Sequence, residues 1–355
     1  MSKFFSEKYK DLTPYVPGEQ PKDIEYVKLN TNESPFPPSP KAIMSATKEL
    51  FKCNLYPDPD VNDLAKTLAE YLGVKKGQVL ATNGSDEILN FAFMAFCDKN
   101  TPAIFPDISY GFYKVFAEIN GIKYREVPLK DNFSICPEDY FNAGGTVFIA
   151  NPNAPTGLSL SLVDVERIVQ NNPDNVVVID QAYVDFGGES AVPLIKKYNN
   201  LLITETFSKS RSMAGARLGY GVACEDLIND LINIKYSTNP YNVNRVTAVL
   251  GAESVKDDAY FKANVEQIIK NREYTQNELK KLGFTFTDSK TNFVFAKHDK
   301  IDGKTLYLKL KGKGILVRHF EKQKIKDYNR ITVGSLSEMQ AFISAVKEIL
   351  EEIKQ

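Results

Sequence analysis

The sequence predicts an α/β fold: a mostly parallel sheet flanked by helices, joined to a smaller α+β unit. Three observations predict it. Short β-branched runs recur at 79–82, 102–105, 147–150, 176–180 and 201–205. Helical patterns such as 87–96 and 161–169 lie between several of them, and strand–helix–strand alternation is the pattern of a parallel sheet. From about Asn239 the texture changes to long helical patterns, 259–282 and 338–353, around two strand-like runs, 293–296 and 331–333.

Each element has a local reason. Residues 1 to about 40 read as an irregular arm, because Pro14, Pro17, Pro21, Pro35, Pro37, Pro38 and Pro40 block both helix and inner strand. A helix follows Pro40 up to about Phe51. Another spans 61–71, with Leu64, Leu68, Tyr71 and Leu72 on one face and Gly73 as its stop. The run Val176-Val177-Val178-Ile179 is apolar throughout, as befits a strand covered on both faces. Ser335 with Glu338 fits a capping box at the start of the last helix.

Composition narrows the function. The 355 residues carry 44 Lys+Arg against 45 Asp+Glu, a net charge of −1, which argues against a nucleic-acid binder that relies on bulk positive charge. Cys53, Cys97, Cys136 and Cys224 are far apart with no C-x-x-C, so no metal site is expected. His298 and His319 are the only histidines, which leaves little for a His-based triad. No apolar run reaches the ~18 residues of a membrane span, and the charged N-terminus lacks a signal-peptide core. The expectation is a cytoplasmic protein with reduced thiols and no membrane partner. ATP and NAD signatures are missing: there is neither G-x-x-x-x-G-K-[ST] nor G-x-G-x-x-G opening a helix after the first strand.

In open parallel sheets, ligands bind beyond the carboxyl ends of the strands. After 79–82 comes Asn83-Gly84-Ser85-Asp86-Glu87, a polar turn feeding a helix N-terminus; it reads as an anion cup or an ordinary N-cap. After 147–150 comes Asn151-Pro152-Asn153-Ala154-Pro155-Thr156-Gly157, a turn unusually rich in Asn and Pro. After 176–179 comes Asp180, then Tyr183. A carboxylate at the end of a buried strand either caps the next element or meets a cation. After 201–205 comes Thr206-Phe207-Ser208-Lys209, with Arg217 eight residues on. A desolvated lysine among cations loses its proton easily and becomes a nucleophile; otherwise this is a basic surface loop.

Taken together, these segments resemble the fold-type I pyridoxal-5′-phosphate aminotransferases of class I/II. The match lies in Asn151–Gly157, in Asp180-Gln181-Ala182-Tyr183, and in Ser208-Lys209 with Arg217-Leu218-Gly219. Within that class the chain most resembles the histidinol-phosphate aminotransferase subfamily, through Leu12-Thr13-Pro14-Tyr15-Val16-Pro17-Gly18-Glu19, Leu29-Asn30-Thr31-Asn32-Glu33-Ser34-Pro35-Phe36 and Tyr56-Pro57-Asp58. The similarity covers nearly the whole chain. It implies a large cofactor-binding domain with a seven-stranded-type sheet over 41–240. It also implies a small domain over 241–355, completed by an arm over 1–40.

The resemblance also implies roles. Lys209 carries pyridoxal 5′-phosphate covalently and moves the substrate α-proton. Asp180 pairs with the pyridine nitrogen, while Asn153 and Tyr183 bond the ring 3′-oxygen. Tyr110 stacks on the ring, with Phe112 or Tyr113 as alternatives, because Asp107-Ile108-Ser109-Tyr110 is one residue longer than the usual pattern. Ser85, Asp86, Thr206, Ser208 and Arg217 hold the phosphate, Asp86 through its backbone only. Tyr56 reaches the phosphate of the neighbouring subunit, so a homodimer with shared sites is implied. Arg318, Arg330, Tyr15 and Asn153 face the substrates. These are L-histidinol phosphate, which becomes imidazole acetol phosphate, and 2-oxoglutarate, which becomes glutamate. The alternatives within the same fold are an aromatic or other amino-acid aminotransferase and a threonine-phosphate decarboxylase. Ala154 stands where many relatives carry a second Asn or another residue, a position read as tolerant.

Overall fold

A computed structural model of the chain describes residues 2–10 and 12–354. Thirteen strands are numbered in chain order. The large sheet holds β2 (Val79–Thr82), β3 (Ala103–Pro106), β4 (Tyr124–Val127), β5 (Thr146–Ala150), β6 (Val177–Asp180), β7 (Leu201–Thr206) and β8 (Gly219–Val222). Its order is β2-β8-β7-β6-β5-β3-β4, and only β8 runs antiparallel to its neighbours. The five strand runs expected from sequence are all present. β4 and β8 were not foreseen: β4 is largely polar, and β8 reads Gly-Tyr-Gly-Val.

Side chains alternate between the two faces of this sheet, and helices cover both. Val147, Ile149, Val177, Ile179, Leu201 and Ile203 join one core with Leu64 and Leu68 of the helix Asn62–Leu72 and Val165 and Ile168 of the helix Leu162–Gln170. Phe148, Val178 and Leu202 join the opposite core with Ile88 and Phe93 of the helix Ser85–Phe96 and Ile228 and Leu231 of the helix Glu225–Thr238. Each such side chain removed from water contributes about 1.5–3 kcal/mol, and burial on both faces explains why the strand runs are apolar without interruption.

The second unit contains β9 (Phe284–Phe286), β10 (Phe293–His298), β12 (Arg318–His319) and β13 (Asn329–Thr332), ordered β12-β13-β10-β9. The long helix Asp258–Lys281 and the closing helix Leu336–Lys354 pack on it around Phe261, Ile268, Val294, Ile331 and Phe342. The capping box is formed, with Ser335 N–H donating to Glu338 at 2.7 Å and Glu338 N–H to Ser335 at 3.3 Å. The arm belongs to this unit: β1 (Val27–Lys28) pairs in parallel with β11 (Ile315–Leu316), and Leu29 is buried in the small core. The large core also takes in Val243, Ala252 and Val255, so the helix Arg245–Lys256 packs with the large unit although it lies beyond position 240. Among the described residues, no helix is long and apolar enough to cross a membrane.

β8 explains how the site edge is closed. It enters between the carboxyl ends of β2 and β7, with Gly219 paired to both Thr82 and Thr206. A Cβ on Gly219 would lie 2.4 Å from the Ser85 nitrogen and 2.9 Å from the Glu205 carbonyl, so only glycine lets the strand pass the helix start. Gly219→Ala is expected to destabilise the fold by about 1–3 kcal/mol through overpacking against backbone. Thermal unfolding followed by circular dichroism checks this, and an unchanged midpoint would refute it.

Candidate active site

The carboxyl ends of β2, β3, β5, β6 and β7 open on one sheet edge, and a cavity of about 320 Å³ lies there. Ser85, Asp86, Tyr110, Asp180, Tyr183, Thr206, Ser208, Lys209 and Arg217 all line it. A second cavity of about 450 Å³ shares Tyr110, Tyr183 and Lys209 with the first and is lined by Tyr15, Arg318 and Arg330. Twelve sequence-predicted residues, spread over three hundred positions, therefore converge on one crevice between the two units.

Asp180 ends β6 and is buried, 4% exposed. Burial pushes its carboxyl up to about 6, against three donors: Ala182 N–H at 3.2 Å, the Tyr113 hydroxyl at 3.2 Å and the Thr204 hydroxyl at 3.3 Å. Lys209 follows β7, and its amine donates to the Thr31 carbonyl at 3.2 Å. Burial, then the Arg330 and Arg217 charges, lower its pKa to about 8, although Glu33 and Asp86 oppose them. A buried carboxylate and an easily deprotonated amine thus share one small cavity.

The other end of the cavity suits an anion. Gly84 precedes the helix Ser85–Phe96 without a side-chain cap, so its first-turn N–H groups point outward. Arg217 lies over them with φ 55°, so close that a Cβ on Gly84 would meet its Nη2 at 2.7 Å. Thr206 and Ser208 hydroxyls lie 3.0 Å apart beside it. Asp86 does more than lend its backbone: its carboxylate accepts from Arg217 at 3.0 Å and from the Tyr110 hydroxyl at 2.5 Å.

Asn153 lines neither cavity. Its amide donates to the Ile108 carbonyl and the Thr156 hydroxyl, each at 3.0 Å, and accepts from Ser109 at 2.8 Å, which uses its polar atoms to hold the loop. Ala154, the next residue, is the one that lines both cavities. Tyr113 does not stack in the cavity, because it is fully buried beneath Asp180. Phe112 is stacked on Tyr15 at 4.3 Å, which leaves Tyr110 as the ring on the cavity wall. Tyr56 is 77% exposed, stacks on Tyr241 at 4.6 Å, and takes no part in its own chain's cavity.

In the second cavity, Arg330 is half-buried beside Phe293 and Phe320. Its Nη2 donates to the Asn30 carbonyl at 3.1 Å, while Nε is buried without a partner. The guanidinium brings a positive charge to the wall of this cavity, which suits an anionic ligand. Arg318 donates to the Val16 and Pro17 carbonyls at 3.0 and 3.2 Å, which folds the arm over this cavity. Sequence reasoning missed Thr31, Asn32 and Thr204 as site residues, and it considered Tyr113 only as a stacking ring, not as the partner of Asp180. Only the position of Thr204, on the strand next to Asp180, carried any signal.

The chain matches the family described as Aminotransferase class I and II over residues 24–346, and it belongs to that family. It is similar to the histidinol-phosphate aminotransferase of Brachyspira hyodysenteriae, with 50% identity over 355 residues that cover 99% of this chain and 100% of the relative. It also superposes on the histidinol-phosphate aminotransferase of Sinorhizobium meliloti, solved in complex with pyridoxal-5′-phosphate. There the TM-score is 0.89 at 21% identity, covering 99% of each chain. The L-threonine-O-3-phosphate decarboxylase of Porphyromonas gingivalis superposes with a TM-score of 0.79 at 23% identity, covering 91% of this chain and 99% of that one. The two structural likenesses speak for the fold alone.

The residues present fit pyridoxal 5′-phosphate. An anion cup, a carboxylate kept from water and a lysine amine stand around a space of suitable size. The electrostatics lead to a prediction for Lys209. The amine is reactive when neutral, so competitive acetylation of Lys209, read by mass spectrometry, should rise with pH through about 8. Arg330→Gln removes a positive neighbour and raises that pKa, so labelling at pH 7 should fall by at least about threefold. Unchanged labelling would show that Arg330 does not act on the amine.

Proposed function

We infer that this chain transfers the amino group of L-histidinol phosphate to 2-oxoglutarate, forming imidazole acetol phosphate and glutamate. The observation that carries the reading is the pairing of two anion sites in one crevice: the Arg217 cup for the cofactor phosphate, and Arg330 with Arg318 for the substrate. The end-to-end likeness to a histidinol-phosphate aminotransferase supports the choice of donor. Arginine suits both partners in turn, because its planar fork meets a phosphate and a carboxylate equally well.

When bound, pyridoxal 5′-phosphate supplies an aldehyde that takes up amino groups and a ring that withdraws electrons from the substrate Cα. The chain's residues do the rest. Lys209 would hold the cofactor and would take and return a proton at the substrate Cα. Asp180 would face the ring nitrogen and favour its protonated form, a cation that would offset the cost of the buried carboxylate. Tyr183 would donate to the ring 3′-oxygen, and Tyr110 would supply an aromatic wall. Ser85 and Asp86 N–H groups, Thr206, Ser208 and Arg217 would hold the phosphate. Tyr15, Arg318 and Arg330 would bind the substrate anion.

The same reading makes the enzyme a homodimer in which Tyr56 completes the partner's phosphate site. Exposed Phe51, Leu55 and Tyr56, at 89%, 58% and 77%, support it, since a lone chain leaves these apolar side chains in water. Four unpaired cysteines fit the reducing cytoplasm, where we place the protein.

Steady-state kinetics with 2-oxoglutarate should favour histidinol phosphate over phenylalanine by at least about 10²-fold in kcat/KM, because phenylalanine brings a single carboxylate and no phosphate to the paired arginines. Arg330→Ala should raise KM for both histidinol phosphate and glutamate. Release of CO₂ from O-phospho-L-threonine would favour the decarboxylase reading instead. Shared sites are checked by mixing Lys209→Ala with Tyr56→Ala subunits. Recovery toward about a quarter of wild-type activity is expected, since half the dimers are mixed and each keeps one intact site. No recovery would remove Tyr56 from the partner's site.

A further inference from the structure

Asn32 lies in the arm where it crosses the crevice, next to Thr31, whose carbonyl accepts from Lys209. It is 1% exposed, and its backbone is left-handed with φ 57°, a conformation that asparagine tolerates better than most residues. The Asn292 amide holds that backbone by donating to the Asn32 carbonyl at 3.0 Å.

The polarity of its side-chain bonds follows from one unambiguous donor. The Asn32 backbone N–H donates to Thr332 Oγ1 at 2.9 Å. That hydroxyl has a single proton, and Asn32 Oδ1 accepts it at 3.1 Å. Turning the amide round would set its NH₂ group against the hydroxyl. The Thr332 proton would then be buried without an acceptor, which is costly at 2% exposure. Oδ1 therefore faces Thr332, and Nδ2 donates to the Tyr183 oxygen at 2.9 Å. Because the Tyr183 oxygen accepts this bond, the phenol's own proton turns toward the cavity that Tyr183 lines with Lys209 and Asp180.

We propose that Asn32 is a positioning residue: oriented by Thr332, it holds the Tyr183 hydroxyl as a donor aimed into the cavity, ready for an anionic oxygen of the bound cofactor. This deepens the cofactor reading above and rests on it. Thr332 is two residues from Arg330 on β13, so both side chains emerge on the same face of that strand. The strand that meets the substrate anion therefore also orients the hydroxyl that meets the cofactor. Charged groups acting on Tyr183 are Arg330, Asp180, Asp86 and the Lys209 amine, 6.0 Å from the ring. Burial pushes the phenol up, and Arg330 and the Asn32 bond work against it.

The test is a pH titration of the visible absorption band of the holoenzyme. A donor on the cofactor's ring oxygen favours its anionic form and keeps the midpoint low. Asn32→Gly preserves the left-handed backbone and removes the amide; the midpoint should rise by roughly half to one pH unit. Asn32→Asp places an acceptor opposite the phenol, captures its proton and should raise the midpoint further. Thr332→Val leaves the arm sequence intact and should shift it in the same direction, which keeps the test open if the Asn32 variants do not fold. In a Tyr183→Phe background, Asn32→Gly should add nothing. A wild-type midpoint in Asn32→Gly, or an equal shift with and without Tyr183, would overturn the proposal. If the wild-type chain with pyridoxal phosphate develops no band that Lys209→Ala abolishes, the cofactor reading falls, and this proposal with it.

Discussion

The crevice is organised around a carboxylate removed from water. Asp180 stands at the end of a central strand of the large sheet, where apolar side chains fill both faces. Three donors hold it, and burial still pushes its carboxyl up to about 6. The surroundings are built to preserve that condition. Tyr113 lies beneath it, fully buried, and β7 brings Thr204 alongside. The carboxylate is most stable when a cation joins it from the cavity side.

The arm is the second constraint. A proline-rich segment has little regular structure of its own, so it must be tied down by what it crosses. Its β1 strand pairs with β11, the Thr31 carbonyl accepts from Lys209, and the Asn30 carbonyl accepts from Arg330. Arg318 holds the carbonyls of Val16 and Pro17. A single stretch of chain therefore touches the Lys209 amine, Arg318, Arg330 and, through Asn32, the Tyr183 hydroxyl.

The loop at 151–157 shows how far a motif can be read. Its composition marks a functional turn at the end of β5, and the turn is there. The sequence assigns Asn153 to the ligand and reads Ala154 as a tolerant position. Packing gives Asn153 bonds to Ile108, Thr156 and Ser109 and sets Ala154 on the cavity wall. Asn32 was invisible for the opposite reason. It lies in a segment without periodicity, and its partners are 151 and 300 positions away. Tyr113 read as one aromatic among several until its hydroxyl was found on Asp180.

What the sequence determined by itself is whatever depends on near neighbours in the chain. Apolar runs set the buried strands, periodicity set the helices, Ser335 with Glu338 set a helix start, and strand ends set where Asp180 and Lys209 would lie. Tertiary structure alone decided which atoms of those residues meet. The entry of β8 between β2 and β7, the turning of Asn153 into its loop and the clasp of the arm on both units depend on contacts between distant segments. Their outcome rests on a few tenths of an ångström and on the direction of single protons. Residue types along a chain encode propensity and burial, whereas hydrogen-bond geometry is set only when the distant partner is in place.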